Sequence, residues 1–586
     1  MLLAAGSWRR GGSFPVAAAL GMAALCSFAA GTARAAVDAV ELPPCKTGPG
    51  ASRPADVYVP MDSWMYSALD RLRGLGYADT AFLGLRPWTR RSMQRVIEES
   101  SEHPDLQSNA QAQEIVAAVE RELGDEADDD SSHLSYACEG LYARMQGIAG
   151  LTLRDSFHLG QTLVNDYGRP YQPGFNTVDG AGGSVEYGRF SLYARGEYQH
   201  APGAAGYSPG LVAMLVAIDD PADDHPYSTP PVYATIPAGP IASANDFRIL
   251  EANLSYRLLN HEISFGKSDH WFAPTVGGAF TYSNNAENIY AFQIDRTDPL
   301  YIPLLSRLTG PFRYDFFVGS LQGHSDPNDP WMHVEKINFK PTPNVELGFE
   351  RTVIWGGEGH VPITVRTFLR SFFSFQNVPV AQKNSRDDPG ARFGSFDFSW
   401  RLPWLNHWMT LYSDSLVHDD VSPVDAPRHA GVRPGIYLSR FPGLQRMDLR
   451  IEGANTDSAT TRSFGGQYLY TEGIQIQGLT NKGYIMGDAI GREGKGGQAW
   501  LTYHLSPQEL LQVSFSHKKN AKDFIPSGTT QNSFDVRAVK RIHDDVEVSA
   551  AVHHEWWKAP VYEPGEQSDT VATFQITLHP ERRAAP

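Results

Sequence analysis

Cysteine is nearly absent: of 586 residues only Cys26, Cys45 and Cys138 are cysteines. Long hydrophobic runs are absent too. Beyond residue 35 no uncharged apolar stretch reaches the roughly 18 residues a helix needs to cross a bilayer, which excludes a helical membrane protein. Charge is sparse, with 20% charged and 41% hydrophobic residues against globular averages of about 25% and 45–50%. Basic residues are in deficit, 50 Lys+Arg against 66 Asp+Glu, a net charge of −16 with no basic block. Such a chain does not coat itself on phosphate, so nucleic acid is not expected as a partner. What it does have is glycine (54 residues) and aromatics (11%).

The first residues read as a signal peptide. Arg9 and Arg10 form the basic start, Phe14 to Ala30 an apolar stretch, and Ala33-Arg34-Ala35 a small-x-small cleavage site, giving a mature start near Ala36. Ala23-Ala24-Leu25 lacks lipobox residues, against a lipoprotein at Cys26. Export then leaves Cys45 and Cys138 in an oxidising compartment. A disulfide is expected there, closing a loop of roughly a hundred residues and worth about 4–5 kcal/mol. Two buried free thiols are the alternative.

Residues 56–124 read as helices. Met61, Trp64, Met65, Ala68, Leu69, Leu72 and Leu75 recur at steps of three and four, with Asp62 or Ser63 as cap and Gly74 and Gly76 as stop. Thr89 caps a second helix carrying Met93, Val96 and Ile97. Ser108-Asn109-Ala110-Gln111 reads as a capping box for a third, ending at Gly124. The acidic run Asp125 to Asp130 follows as an exposed linker.

From Tyr136 the period changes to two. Val345, Leu347 and Phe349 alternate with Glu346, Gly348 and Glu350; Val546, Val548, Ala550 and Val552 alternate with Glu547, Ser549, Ala551 and His553. Roughly eighteen to twenty such strands run to the end. A soluble sandwich would turn the apolar faces inward, a transmembrane barrel outward to lipid, and alternation alone does not choose. The signal peptide, the strand number and the long loops Pro202 to Pro240 and Val378 to Arg392 favour the barrel. So do Trp271, Phe272, Trp331, Trp400, Trp404, Trp408, Trp556 and Trp557, placed near strand ends as interface girdles.

Catalytic motifs fail on chemistry. Gly206-Tyr207-Ser208-Pro209-Gly210 has the spacing of a nucleophile elbow, but Pro209 lacks the N–H an oxyanion hole requires, so the segment reads as a turn in a loop. Gly491 to Gly497 lacks P-loop spacing and reads as a tight turn or inward-folded loop. His553 and His554 face opposite sides of a strand and cannot share a metal. Glu346 and Glu350 lie roughly 13 Å apart along a strand, too far for a glycosidase pair. No cofactor and no enzymatic activity are expected. Gly356-Gly357-Glu358-Gly359-His360, followed by Arg366, Arg370, Phe368, Phe372, Phe373 and Phe375, combines aromatic faces with forked polar groups, as a carbohydrate surface does. A plug that satisfies its own hydrogen bonds is the alternative.

The stretches Tyr58-Val59-Pro60-Met61-Asp62-Ser63-Trp64, Phe82-Leu83-Gly84-Leu85-Arg86-Pro87-Trp88, Ser283-Asn284-Asn285-Ala286-Glu287, Phe368-Leu369-Arg370-Ser371-Phe372-Phe373, Thr480-Asn481-Lys482-Gly483 and Ile490-Gly491-Arg492-Glu493-Gly494 occur in this order. On them the chain resembles the outer-membrane capsule assembly proteins of the Wzi type. The resemblance implies an eighteen-stranded barrel with a periplasmic helical bundle and a lectin-like, non-catalytic role toward exported capsular polysaccharide. Relatives tend to show Trp-Trp-Gly-Pro-Gly where this chain has Trp271-Phe272-Ala273-Pro274-Thr275, which puts a ligand role for that loop in doubt. The helical region also resembles an S-layer-homology unit, which implies a cell-wall polymer as a partner; packing as a plug under the barrel is the alternative.

The expectation is therefore a mainly β protein: a transmembrane antiparallel β-barrel of about 18 strands with a small N-terminal periplasmic α-helical domain. Its parts are a signal peptide (1–35), helical domain and acidic linker (36–135), barrel (136–580) and tail (581–586). Outer-membrane lipid and capsular or exopolysaccharide are the expected partners; a porin or sugar-selective channel is the alternative function. The expected ligand residues are Glu358, His360, Arg366, Arg370, Asn481, Lys482, Arg492, Glu493 and Lys495.

Overall fold

The computed structural model describes residues 54–579 apart from 125–133, 220–232, 375–377, 379, 384, 406, 419–428 and 458–468. The signal peptide, Cys26, Cys45, the acidic linker, Phe375 and the tail lie outside the described residues. Cys138 is disulfide-bonded.

Eighteen long strands form a single sheet. They are β1 (Leu134–Gly150), β2 (Gly174–Tyr187), β3 (Phe190–Ala201), β4 (Ala244–Leu258), β5 (His261–Lys267) and β6 (Tyr290–Arg296). Next come β7 (Phe312–Ser320), β8 (Trp331–Thr342), β9 (Val345–Trp355), β10 (Ala391–Arg401), β11 (Met409–His418) and β12 (Gly431–Leu438). The last are β13 (Met447–Asn455), β14 (Gly494–Ser506), β15 (Glu509–Asn520), β16 (Thr529–His543), β17 (Val546–Ala559) and β18 (Glu563–Leu578). Each pairs antiparallel with its neighbour in sequence, and β18 returns to β1 from Leu141 opposite Leu578 to Gly150 opposite Asp569, closing the barrel.

Register settles which way the alternating faces point. Leu192, Leu254, Phe265 and Phe292 lie opposite one another across β3 to β6 and are 45%, 53%, 64% and 40% exposed. One residue along the same strands, Ser191, Ser255, Ser264 and Gln293 form the next row and are buried. The apolar row faces out and the polar row faces in, the reverse of a soluble sandwich and the arrangement a bilayer demands. Trp331, Trp400 and Trp404 are exposed on the outside. Trp271, Phe272 and Trp557 depart from the expected girdle. The first two sit in the β5–β6 connection, which folds into the lumen, and Trp557 takes the inward position next to Trp556 and donates its indole N–H to Leu151 O (3.0 Å).

The helical domain holds α1 (Trp64–Gly74), α2 (Arg90–Ser101) and α3 (Ala110–Leu123). Ser63 and Thr89 cap the first two through Met65 N and Ser92 N, as their sequences require. The third cap is shifted by one residue from the expected box. Asn109 Oδ1 accepts from both Gln111 N and Ala112 N (3.2 Å each), while Ser108 donates to Asp105 O and ends a 3-10 turn. The apolar stripes close on one another around Leu69, Leu72, Met93, Ile97, Ile115 and Val119.

This domain packs into the barrel end that carries the short turns, so the plug arrangement is the observed one. Glu346 on β9 accepts from Leu83 N and Gly84 N (both 2.9 Å). Arg401 donates to Arg73 O (3.0 Å), His407 pairs with Leu75 O (2.7 Å), and Arg71 donates to Gln445 O (2.8 Å). At Gly84 a Cβ would lie 2.5 Å from Asn338 Nδ2 and Asp397 Oδ1, so any larger residue has to displace these two buried side chains.

The long connections occupy the other end, and several fold back inside. Residues 151–173, 268–289 and 469–493 bring Phe157, Phe272, Phe280, Tyr282, Leu479 and Met486 against the inward-facing Phe317, Val334 and Phe393, an apolar core within the lumen. A second apolar layer joins Leu153 and Leu159 to Phe524, Trp557 and one helix, α4 (Pro209–Asp219). The segment expected to be a turn in a loop thus starts a helix. Pro209 takes the first helical position, where its missing N–H costs nothing, and Ser208 Oγ accepts from Leu211 N (3.3 Å).

Candidate functional site

The nine candidate residues fall into two groups at the long-loop end. The first lies in the β9–β10 connection, around α5 (Val365–Phe373). Thr364 and Thr367 form a capping box at its start, and Arg351 closes its end by donating to Phe372 O (2.6 Å), Ser371 O (2.7 Å) and Ser374 O (2.9 Å). Phe368 and Phe372 pack against His333 and Trp355 and are structural, contrary to the stacking role expected for them. Phe373, by contrast, is 66% exposed. Arg366 stands in solvent 3.6 Å from Asp387, Arg370 donates to Asp387 O (3.1 Å), and Glu358 is exposed with its backbone N–H on Asn328 O (2.7 Å). His360 is turned inward onto Asp388 (3.3 Å).

The second group follows from the inward-folded 469–493 segment. Asn481 is buried, donating to Glu287 O (2.8 Å) and accepting from Gln322 N (2.8 Å). Lys482, half exposed, meets Glu287 Oε1 at 2.8 Å, and that carboxylate also holds Lys267 (2.5 Å) and Arg248 (3.0 Å). Lys495 pairs with Asp457 at 3.0 Å. Arg492 lies fully inside, between the rings of Phe157 (4.5 Å) and Phe524 (4.9 Å), with Asp219 Oδ1 at 2.6 Å. Glu493 is buried beside it with φ +44° at the entry to β14. The loops of the two groups touch where Gln475 donates to Gly356 O (2.9 Å). Glu358, Arg366, Arg370, Lys482 and Lys495 are thus presented to solvent; His360, Asn481, Arg492 and Glu493 hold the loops that present them.

Sequence reasoning missed the linkage beneath these loops. His158 stands between Asp155 (2.8 Å) and Asp219 (2.9 Å), the second of which also holds Arg492. Burial alone would lower the imidazole's pKa, but the two carboxylates outweigh it and push it up to about 9. Deeper in the lumen Arg433 bridges Asp488 (2.5 Å) and Glu452 (3.1 Å), and Arg195 bridges Asp62 (2.7 Å) and Glu251 (3.6 Å). Glu350 accepts from Thr281 Oγ1 (2.6 Å) and Glu346 accepts from the helical domain, so both strand carboxylates are engaged in holding segments packed inside the barrel. Ser208 is occupied as a helix cap.

A family model described as capsule assembly protein Wzi matches residues 143–572, most of the barrel. The chain belongs to the Wzi capsule assembly family. Among solved structures, the Escherichia coli Wzi, an outer-membrane protein involved in group 1 capsule assembly and a carbohydrate-binding β-barrel, superposes with a TM-score of 0.63 at 14% identity, over 89% of this chain and 99% of that one. The two share the fold. A 55.8 kDa protein of the cps region of Klebsiella pneumoniae is 23% identical over 183 residues, 31% of this chain and 35% of the relative. The chain thus matches about a third of the length of that relative. A Wzi-type outer-membrane barrel accounts for the closed eighteen-stranded sheet and its apolar exterior.

Proposed function

We propose that this Wzi-family barrel holds exported capsular or exopolysaccharide at the cell surface without chemically changing it. In this reading the long-loop end faces outward and the helical domain faces the periplasm. The observation that carries it is the division of labour along the barrel axis. The lumen is obstructed by two apolar layers and the helical domain, while Arg366, Arg370, Lys482, Lys495, Glu358 and the exposed Phe373 remain at the loop end. Forked cations and an aromatic face suit hydroxyls, carboxylates and the apolar side of a sugar ring. Repetition along a polymer multiplies weak contacts into lasting retention. The obstructed lumen favours holding over passage, against the channel alternative.

The test is retention of surface polysaccharide by purified protein, compared with an Arg366→Ala/Lys482→Ala double variant and an Arg370→Ala variant. Weaker retention by the variants supports the site. Equal retention by all three refutes it, and no retention by the wild type refutes the function. Steady ionic conductance in a planar bilayer would instead establish a channel.

A further inference from the structure

The inner wall formed by β14 to β18 carries polar side chains separated by a gap from the lumen core and from the helical domain, whose Asp62, Trp64, Arg90 and Glu122 line the opposite side. Two cavities of about 550 and 470 Å³ run along it. Asn165, Val276, Gln512 and Arg537 line both, so the two adjoin. The first reaches the β14–β15 turn at Pro507 and Gln508 and His579 beyond β18, at the short-turn end. The second runs inward to Asp488 and Lys518 under the loop core.

Register arranges the wall in rows. Trp500, Ser514, Asp535 and His553 lie opposite one another across β14 to β17. Two residues nearer the short turns, Gln512, Arg537, Ala551 and Thr573 form the next row across β15 to β18. Trp500 thus lines the chamber, and beside the small Ala551 its neighbour Arg537 is exposed.

Arg537 makes no hydrogen bond and no ion pair among the described residues. The charges near it are Glu547, Arg144 and Asp62. All three have other partners: Glu547 lies 3.6 Å from Arg541, Arg144 3.0 Å from Asp166, and Asp62 2.7 Å from Arg195. The chamber therefore holds a solvent-accessible guanidinium with no acceptor from the protein among the described residues, and the same wall carries an aromatic ring and a set of hydroxyl and amide groups. The strand spacing puts the backbones of Trp500 and Arg537 about 12 Å apart, a span suited to a disaccharide. A guanidinium fork matches a carboxylate, and each cavity's volume lies in the range of sites for small ligands.

We infer that this chamber binds a short acidic saccharide, its carboxylate on Arg537 and a ring face on Trp500, entering from the short-turn end. The inference rests on the saccharide-holding reading above, but its site lies apart from the loop residues named there. The test uses the full barrel in detergent, titrated calorimetrically with a glucuronate-containing disaccharide and with its carboxyl-reduced counterpart. Saturable binding is expected for the acid, at least about tenfold weaker for the neutral sugar and for Arg537→Gln. It should be abolished by Ala551→Leu, which fills the space beside the guanidinium, and unchanged in Arg366→Ala/Lys482→Ala. Retention of the mobility shift between unboiled and boiled protein confirms that each variant is a folded barrel. Absent saturation in the wild type, or equal affinity for the neutral sugar or for Arg537→Gln, overturns the inference. Polysaccharide retention by the same preparations reports separately on the loop-end site, so the two readings fail independently.

Discussion

The linkage under the loop layer makes the seating of α4 depend on pH. His158 bridges Asp155 and Asp219, and Asp219 is the last residue of α4. An ordinary histidine has a pKa of about 6.5; here the flanking carboxylates overcome burial and raise it to about 9. The seated helix therefore favours the imidazolium. That preference contributes in full below pH ~6.5 and is lost as pH rises through about 9. The difference corresponds to about 3 kcal/mol, or roughly 200-fold in the opening equilibrium between pH 6 and pH 10. Native-state hydrogen exchange of the α4 amides, corrected for the intrinsic effect of pH, measures it directly. Protection should fall by about two orders of magnitude in the wild type. In His158→Gln it should be low and flat across the same range. A wild-type change below about threefold, or the same slope in His158→Gln, would refute the coupling.

Replacing Glu346 by Ala leaves the amides of Leu83 and Gly84 without an acceptor, at a cost of about 2–4 kcal/mol, read as earlier protease cleavage of the helical domain. Gly84→Ala drives a Cβ into Asn338 and Asp397 and should produce the same early cleavage, while the barrel keeps its gel-mobility shift. Asn109→Ala should destabilise α3 by about 1 kcal/mol and Ser108→Ala by far less; equal melting temperatures for the two would place the cap elsewhere. Ser208→Ala should loosen α4 by about 1 kcal/mol and leave polysaccharide retention intact, as expected of a cap rather than a nucleophile.

What the sequence revealed followed local periodicity. Helical spacing and caps at Ser63 and Thr89 located α1 and α2, and alternation located strands such as Val345–Trp355. The cap of α3 was misplaced by one residue because Ser108 and Asn109 are both good caps, and only the backbone turn decides between them. Alternation separates two faces but not inside from outside, so the direction of Leu192 and Ser191 emerged only from closure. Phe272, Phe280, Tyr282 and Met486 lie in segments without periodicity, and nothing local marks them as the interior of a barrel. The His158–Asp219–Arg492 set joins residues 61 and 273 positions apart, beyond any spacing motif. Arg366, Arg370 and Lys482 were visible as polar groups on glycine-rich or aromatic segments; the buried roles of His360 and Arg492 depend on Asp388 and Asp219, which lie far away in the chain.

The pairing of β1 with β18 also has a meaning in time. The first strand of the ring has no permanent second neighbour until the last has been delivered, so for most of the chain's history an open edge of backbone donors and acceptors travels with it. The helical domain contacts β8, β9, β10 and the β12–β13 turn, far along the sequence, and cannot find its seat before those strands exist. Assembly of this barrel is thus a problem of long-range contacts, slow by nature and exposed to mispairing. Its final sixteen-residue strand is the step that removes both edges at once.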